Sequence, residues 1–124
     1  MEQAMASKEL TADDKDRLDR LLVVLAEFAT LNELMDLPMM RILTTVCRHE
    51  GARPKELPSH LPGYAGSVTT RVALDMGTDQ RFGRDGEPPL GLMEYSGDDT
   101  DRQIALTPKG IEFRDRLLAM LTPG

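Results

Sequence analysis

The segment from Leu90 to Gly110 constrains this chain more than any other. Residues 90–95 form an apolar run rich in strand-compatible side chains. A polar tip, Gly97-Asp98-Asp99-Thr100-Asp101, follows, and residues 102–106 make a second short run. Two such runs around a Gly-containing polar turn read as a β-hairpin. Thr107-Pro108 comes next, a capping hydroxyl followed by a residue whose fixed φ suits the first helical turn. A hairpin that runs directly into a capped helix leaves few folds open.

The rest of the chain reads as helix. Thr11, followed by Asp13 and Asp14, is a helix-start signal, because the cap oxygen and the carboxylates meet unpaired N–H groups. Leu18, Leu21, Leu22, Leu25, Phe28 and Ala29 then recur at three- and four-residue spacings, predicting an amphipathic helix over residues 11–35 behind a disordered tail at 1–10. Its stripe is suited equally to the chain's own core and to a second subunit. Pro38 opens a further helix with Met39, Ile42, Leu43, Val46 and Cys47 on one face, and Gly51 offers a stop. Residues 54–61 predict a short helix interrupted by Pro58, and Pro62-Gly63 a turn. Residues 67–76 predict a helix with Val68, Val72 and Met76 inward and Thr69, Thr70 and Arg71 outward. Residues 77–89 carry Gly, Asp, Arg and Pro without hydrophobic rhythm and read as a loop. In the last helix, over 108–121, Ile111, Phe113, Leu117, Leu118 and Leu121 are available for burial. The expected fold class is mostly α with a small β-hairpin, one domain over residues 11–124. Two short helices across a tight turn followed by a hairpin is the order of a winged helix-turn-helix, here with flanking amino- and carboxy-terminal helices.

Composition narrows the function classes. One cysteine, Cys47, excludes an intrachain disulfide. No apolar run approaches the ~18 residues of a membrane span, and no signal-peptide pattern opens the sequence, so a cytoplasmic setting without membrane contact is expected. The formal charge is −6, distributed as −5 over residues 1–36, +2 over 37–85 and −3 over 86–124. Only the middle is basic, which permits a phosphate-facing surface there. Cys47 reads as a small core residue, His49 and His60 as surface groups without metal-ligand spacing, and the methionines as core filler. No Ser-His-Asp order, phosphate loop or supported carboxylate pair points to catalysis, and no cofactor is expected.

Several segments, taken in order, resemble the multiple-antibiotic-resistance regulator (MarR) family. Residues 36–51, DLPMMRILTTVCRHEG, are similar to the first helix of that family's winged domain, and Lys55-Glu-Leu57 stands where its second helix begins. Gly66-Ser-Val-Thr-Thr-Arg-Val72 resembles its recognition helix. Gly91-Leu-Met-Glu94 resembles the lead-in to its wing, Asp101-Arg102 the pair at the wing tip, and Leu106-Thr-Pro-Lys-Gly110 the exit from the wing. The chain departs from the family in a stretch of roughly ten extra residues before Gly91, longer than usual connections, and in a shorter wing.

The resemblance implies sequence-specific binding of duplex DNA by a homodimeric transcriptional repressor, with residues 11–35 and 108–121 as dimerisation helices. The implied DNA-facing residues are Lys55, Ser67, Thr69, Thr70, Arg71, Arg81, Arg84 and Arg102. Short hydroxyls approach base edges and phosphates closely, and arginine reads guanine or clamps phosphate. Each has a plainer alternative: Ser67 as a helix cap, Arg71 as a solvated side chain, Arg81 and Arg84 as loop solubility, Arg102 as a partner of Asp98, Asp99 or Asp101. The acidic balance, the acidic tip and the extra loop favour a second reading, a winged-helix module that binds another protein instead of DNA.

Overall fold

The computed structural model describes residues 9–33, 35–61, 63–64, 66–83, 86–97 and 102–121, with the side chain of Ser67 outside the description. Among them are five α-helices, one 3-10 turn and one two-stranded antiparallel sheet, in the order α1 (Ala12–Leu31), α2 (Leu37–Arg48), the 3-10 turn Pro54–Glu56, α3 (Leu57–His60), α4 (Gly66–Asp75), β1 (Met93–Ser96), β2 (Gln103–Leu106) and α5 (Pro108–Leu121). A mostly α-helical fold with a small hairpin is thus what the chain adopts. The expected tail at 1–10 falls mainly outside the described residues, as do Arg84 and the hairpin tip at 98–101.

Local chemistry places the helix starts. The Asp14 amide donates to Thr11 Oγ1 and the Thr11 amide to Asp14 Oδ2, each at 3.0 Å, a reciprocal capping box. Asp36 Oδ1 accepts from the Met39 amide (2.9 Å), with Pro38 in the first turn of α2. Thr107 Oγ1 accepts from the Gly110 amide (3.2 Å) and donates to the Gly91 carbonyl (2.6 Å), so the cap of α5 also ties that helix to the strand lead-in.

The core is built where α2 meets α4, β2 and α5. Ile42, Leu43, Leu57, Met76, Leu92 and Phe113 are fully buried in it. Phe28 of α1 meets Phe113 edge-on with ring centroids 5.2 Å apart, and Glu27 of α1 accepts from Arg116 of α5 at 2.6 Å. The α1 stripe therefore divides. Phe28 enters the core, whereas Leu18, Leu21, Leu22 and Leu25 stay exposed, together with Leu118 and Leu121 of α5, which the spacing had made available for burial.

The hairpin pairs Met93 with Leu106 and Ser96 with Gln103. Its outer edge does not end at β2. The Gly51 amide donates to the Ile104 carbonyl (2.8 Å), the Ile104 amide to the Ala52 carbonyl (2.9 Å), and the Leu106 amide to Glu50 Oε2 (3.0 Å). The chain between α2 and α3 thus covers the free edge of β2 and leaves no open template there. Gly51, at φ +90°, takes the left-handed turn that brings it onto that edge.

The connection from α4 to β1 closes at a neck. The Leu90 amide donates to the Asp75 carbonyl (3.2 Å), Gly91 to Gly77 (2.7 Å) and Leu92 to Met76 (2.9 Å). Among its described residues the segment 77–89 holds neither helix nor strand, as the lack of hydrophobic rhythm predicts.

Candidate nucleic-acid interface

The inward face of α4 carries Thr69, Val72 and Ala73, and Met76 just past its end continues the i, i+3, i+4, i+7 spacing. At 3.6 residues per turn Val68 lies about a quarter turn from that axis, and it is 43% exposed. Thr69 is 0% exposed. This corrects the expectation that Thr69 faces outward and Val68 inward. The helix is rotated because burial follows the Val72–Ala73–Met76 triplet, which carries Thr69 inward with it. Thr69 therefore lies inside the fold, on the buried side of α4. Thr70 is half-buried. Ser67 and Arg84 lie outside what is described.

Arg71 emerges on the outward face one turn after Val68, its side chain 60% exposed. Its Nε donates to Asp75 Oδ1 at 3.2 Å, and its guanidinium lies 5.4 Å from the Phe82 ring centroid. Asp75 is 3% exposed. The same carboxylate oxygen accepts from the Gly83 amide (3.2 Å), so one buried acid on α4 holds both the outward arginine and the loop. A buried carboxylate requires such partners.

Arg81 also lies over the Phe82 ring, 5.7 Å from its centroid, and is clamped by Asp79 through three contacts of 3.1, 3.2 and 2.7 Å. These hydrogen bonds, side chain first, hold the Asp79 carboxyl down at about 2. Arg102 precedes β2 and lies over Tyr95, 5.4 Å from its ring centroid. Lys55 is exposed on the 3-10 turn. The fold thus brings Arg71 and Arg81 together on Phe82, and places Lys55 and Arg102 on separate elements.

Residues that polarity alone passed over include Val68, Asp75, Phe82 and Arg41, whose guanidinium lies 4.8 Å from the Tyr64 centroid. The one usable signal was Phe82 itself, a large apolar side chain set in a polar loop. His49 and His60 stack at 3.8 Å with an 11° interplanar angle, a pairing their sequence spacing did not suggest. Stacked rings present faces, not converging nitrogens, and no group of three metal-ligating side chains exists among the described residues. Burial pushes the Cys47 thiol up to about 11, which keeps it protonated, consistent with a core-lining residue. Among the described residues no helix is long and apolar enough to cross a membrane.

No family model matches the chain, and no curated protein or solved structure matches it.

Proposed function

We propose that this chain binds duplex DNA as a homodimer and acts as a transcriptional repressor, with α4 as the helix that enters the major groove. The carrying observation is the arrangement around α4. A short helix and a turn precede it, a hairpin follows it, a segment at residues 51–52 covers the hairpin's edge, and its outward face presents Val68 and Arg71. This is the order of a winged helix-turn-helix, in line with the resemblance to the MarR family. Arg71 reads guanine or grips phosphate, and an exposed valine on such a face suits the methyl group of thymine. Lys55 and Arg102 supply backbone contacts from the preceding turn and the wing.

Dimerisation rests on the exposed leucines of α1 and α5. Six leucines on these two helices are between 43% and 63% exposed, and clustered apolar surface of this kind is what association covers.

The test is selection of bound sequences from a random duplex library at low salt, followed by anisotropy titrations of the selected site. Arg71→Ala should weaken specific binding by roughly 5- to 150-fold, the equivalent of ~1–3 kcal/mol for a base-reading arginine. Absence of binding at low salt, where phosphate contacts are strongest, overturns the proposal. One observation favours the second reading, a protein-binding module: Arg71 and Arg81 are each engaged by an acid of the same chain. Recovery of a protein partner that survives nuclease treatment, with no DNA affinity, would establish it.

A further inference from the structure

The two arginines that meet on Phe82 are held differently. Asp79 takes one whole edge of the Arg81 guanidinium, accepting from Nε at 3.1 and 3.2 Å and from Nη2 at 2.7 Å. Asp75 takes a single atom of Arg71, Nε, at 3.2 Å. A guanidinium carries five N–H donors in a fixed planar fork. Arg71 therefore spends one donor on Asp75 and keeps the others, on Nη1 and Nη2, which bond no acceptor among the described residues.

The single contact also fixes where those donors stand. The Asp75 side chain is 2% exposed, against 60% for Arg71, so the acid is anchored and the arginine reaches outward from it. Phe82 gives the guanidinium a second surface, its ring centroid 5.4 Å away, within the reach of a cation–π contact. The Gly83 amide, next in the chain to that ring, donates to the same Asp75 oxygen (3.2 Å). One carboxylate oxygen thus sets both the arginine and the ring it rests on. A solvated arginine gives up rotamer freedom when it binds, and one held in advance gives up less.

The pairing also chooses among acceptors. An arginine balanced by an acid keeps its remaining donors but gives up part of its net charge. Phosphate binding draws on net charge and on counterion release. The guanine edge offers two neutral acceptors, O6 and N7, spaced for a two-pronged donor. Nη1 and Nη2 form such a pair, whereas the Nε edge is already engaged.

We infer that Arg71 reads guanine end-on through Nη1 and Nη2 and grips no phosphate, and that Asp75, with Phe82 beside it, is the positioning residue that gives this contact its selectivity. The inference rests on the DNA reading above and narrows it from guanine or phosphate to guanine.

The probe is the duplex recovered from the random library, with each guanine replaced in turn by 7-deazaguanine, which lacks the N7 acceptor. At the guanine that Arg71 contacts, the replacement should weaken binding by the parent chain about fivefold, and Arg71→Ala should abolish that sensitivity. Loss of a phosphate contact would flatten the dependence of log affinity on log salt by about 0.9; in Arg71→Ala the slope should hold. Asp75→Ala frees the arginine without removing its charge, so the ratio of selected to random duplex affinity should fall about fivefold, within the coupling range of residues in contact. Phe82→Ala should lower the ratio about twofold, the scale of an exposed cation–π contact. A folding defect would weaken both duplexes and leave the ratio in place. In the free ¹⁵N-labelled chain, relaxation of the Arg71 Nε–Hε pair should report an ordered side chain that becomes mobile in Asp75→Ala. Unchanged relaxation there, or equal losses on both duplexes, overturns the positioning role. Sensitivity to 7-deazaguanine that survives Arg71→Ala, or a flattened salt slope, overturns the guanine contact. A library that yields no site overturns the DNA reading and the guanine contact with it, and the relaxation result then decides the positioning role by itself.

Discussion

Gly110 sits inside α5, where helix propensity by itself says that alanine is better by about 1 kcal/mol. The structure reverses the sign. A Cβ at Gly110 would fall on the Leu92 carbonyl oxygen, with the Leu92 carbonyl carbon at 3.1 Å and Leu106 Cδ2 at 3.2 Å. The obstacle is backbone and cannot rotate away. The Leu92 carbonyl also accepts from the Thr107 amide at 3.1 Å, at a junction further held by Lys109 Nζ on the Leu90 carbonyl (2.8 Å). Making room at Gly110 therefore costs about 1–3 kcal/mol of overpacking and weakens a hydrogen bond contributing about 1 kcal/mol. After the gain in propensity, Gly110→Ala should destabilise by about 1–3 kcal/mol, a large share of the ~5–15 kcal/mol typical of domains. Urea unfolding followed by circular dichroism reads this directly. With a slope of about 1–3 kcal/mol per molar, the midpoint should fall by about 1 M with the slope unchanged. A variant as stable as the parent, or more stable, would refute the close approach of α5 to the strand lead-in.

Other outcomes follow from features already described. Asp75→Ala removes the acceptor of both Arg71 and Gly83; hydrogen exchange at the Gly83 amide should lose its protection while the α5 amides keep theirs, and unchanged protection at Gly83 would deny Asp75 its role in holding the loop. Asp79 should titrate near 2 by carboxyl-carbon NMR and return to the ordinary range near ~3.9 in Arg81→Ala. Because its folded value is depressed, the clasp's contribution is complete above the unfolded value and is lost as pH falls through about 2; a midpoint near 4 in the parent chain would contradict the clasp. Leu22→Glu combined with Leu25→Glu, both exposed on α1, should convert a dimer to a folded monomer in light scattering at micromolar concentration; a monomeric parent removes the dimer from the proposal.

What was legible in the sequence was what is decided locally. Thr11, Asp36 and Thr107 are caps because their oxygens reach amides three residues on, and that chemistry is written in neighbouring residues. The hairpin was legible for the same reason, since its two runs and polar turn are contiguous. The rotation of α4 was not. Val68 and Thr69 differ by one position, and which of them turns inward is decided by α2 and α3 packing against the helix. Nor was the exposure of Leu118 and Leu121 legible, because an apolar stripe records what can be buried and not what covers it. One tie between the loop and α4 runs through a carboxylate eight residues from the amide it accepts, and the cover over β2 joins segments about fifty residues apart. No periodicity carries contacts of that kind.

The neck at residues 75–77 and 90–92 gives the loop between them a modular character. The chain leaves the helix and re-enters the sheet through adjoining hydrogen-bonded positions, so the frame is closed before the loop's own length matters. Loop-closure entropy grows only slowly with length. Excision of residues 79–88 with a short glycine bridge should leave the helices and hairpin standing while removing Phe82, Asp79 and Arg81. The same position would accept a spectroscopic label or an inserted peptide, which makes it a natural graft point on an otherwise tightly interlocked frame.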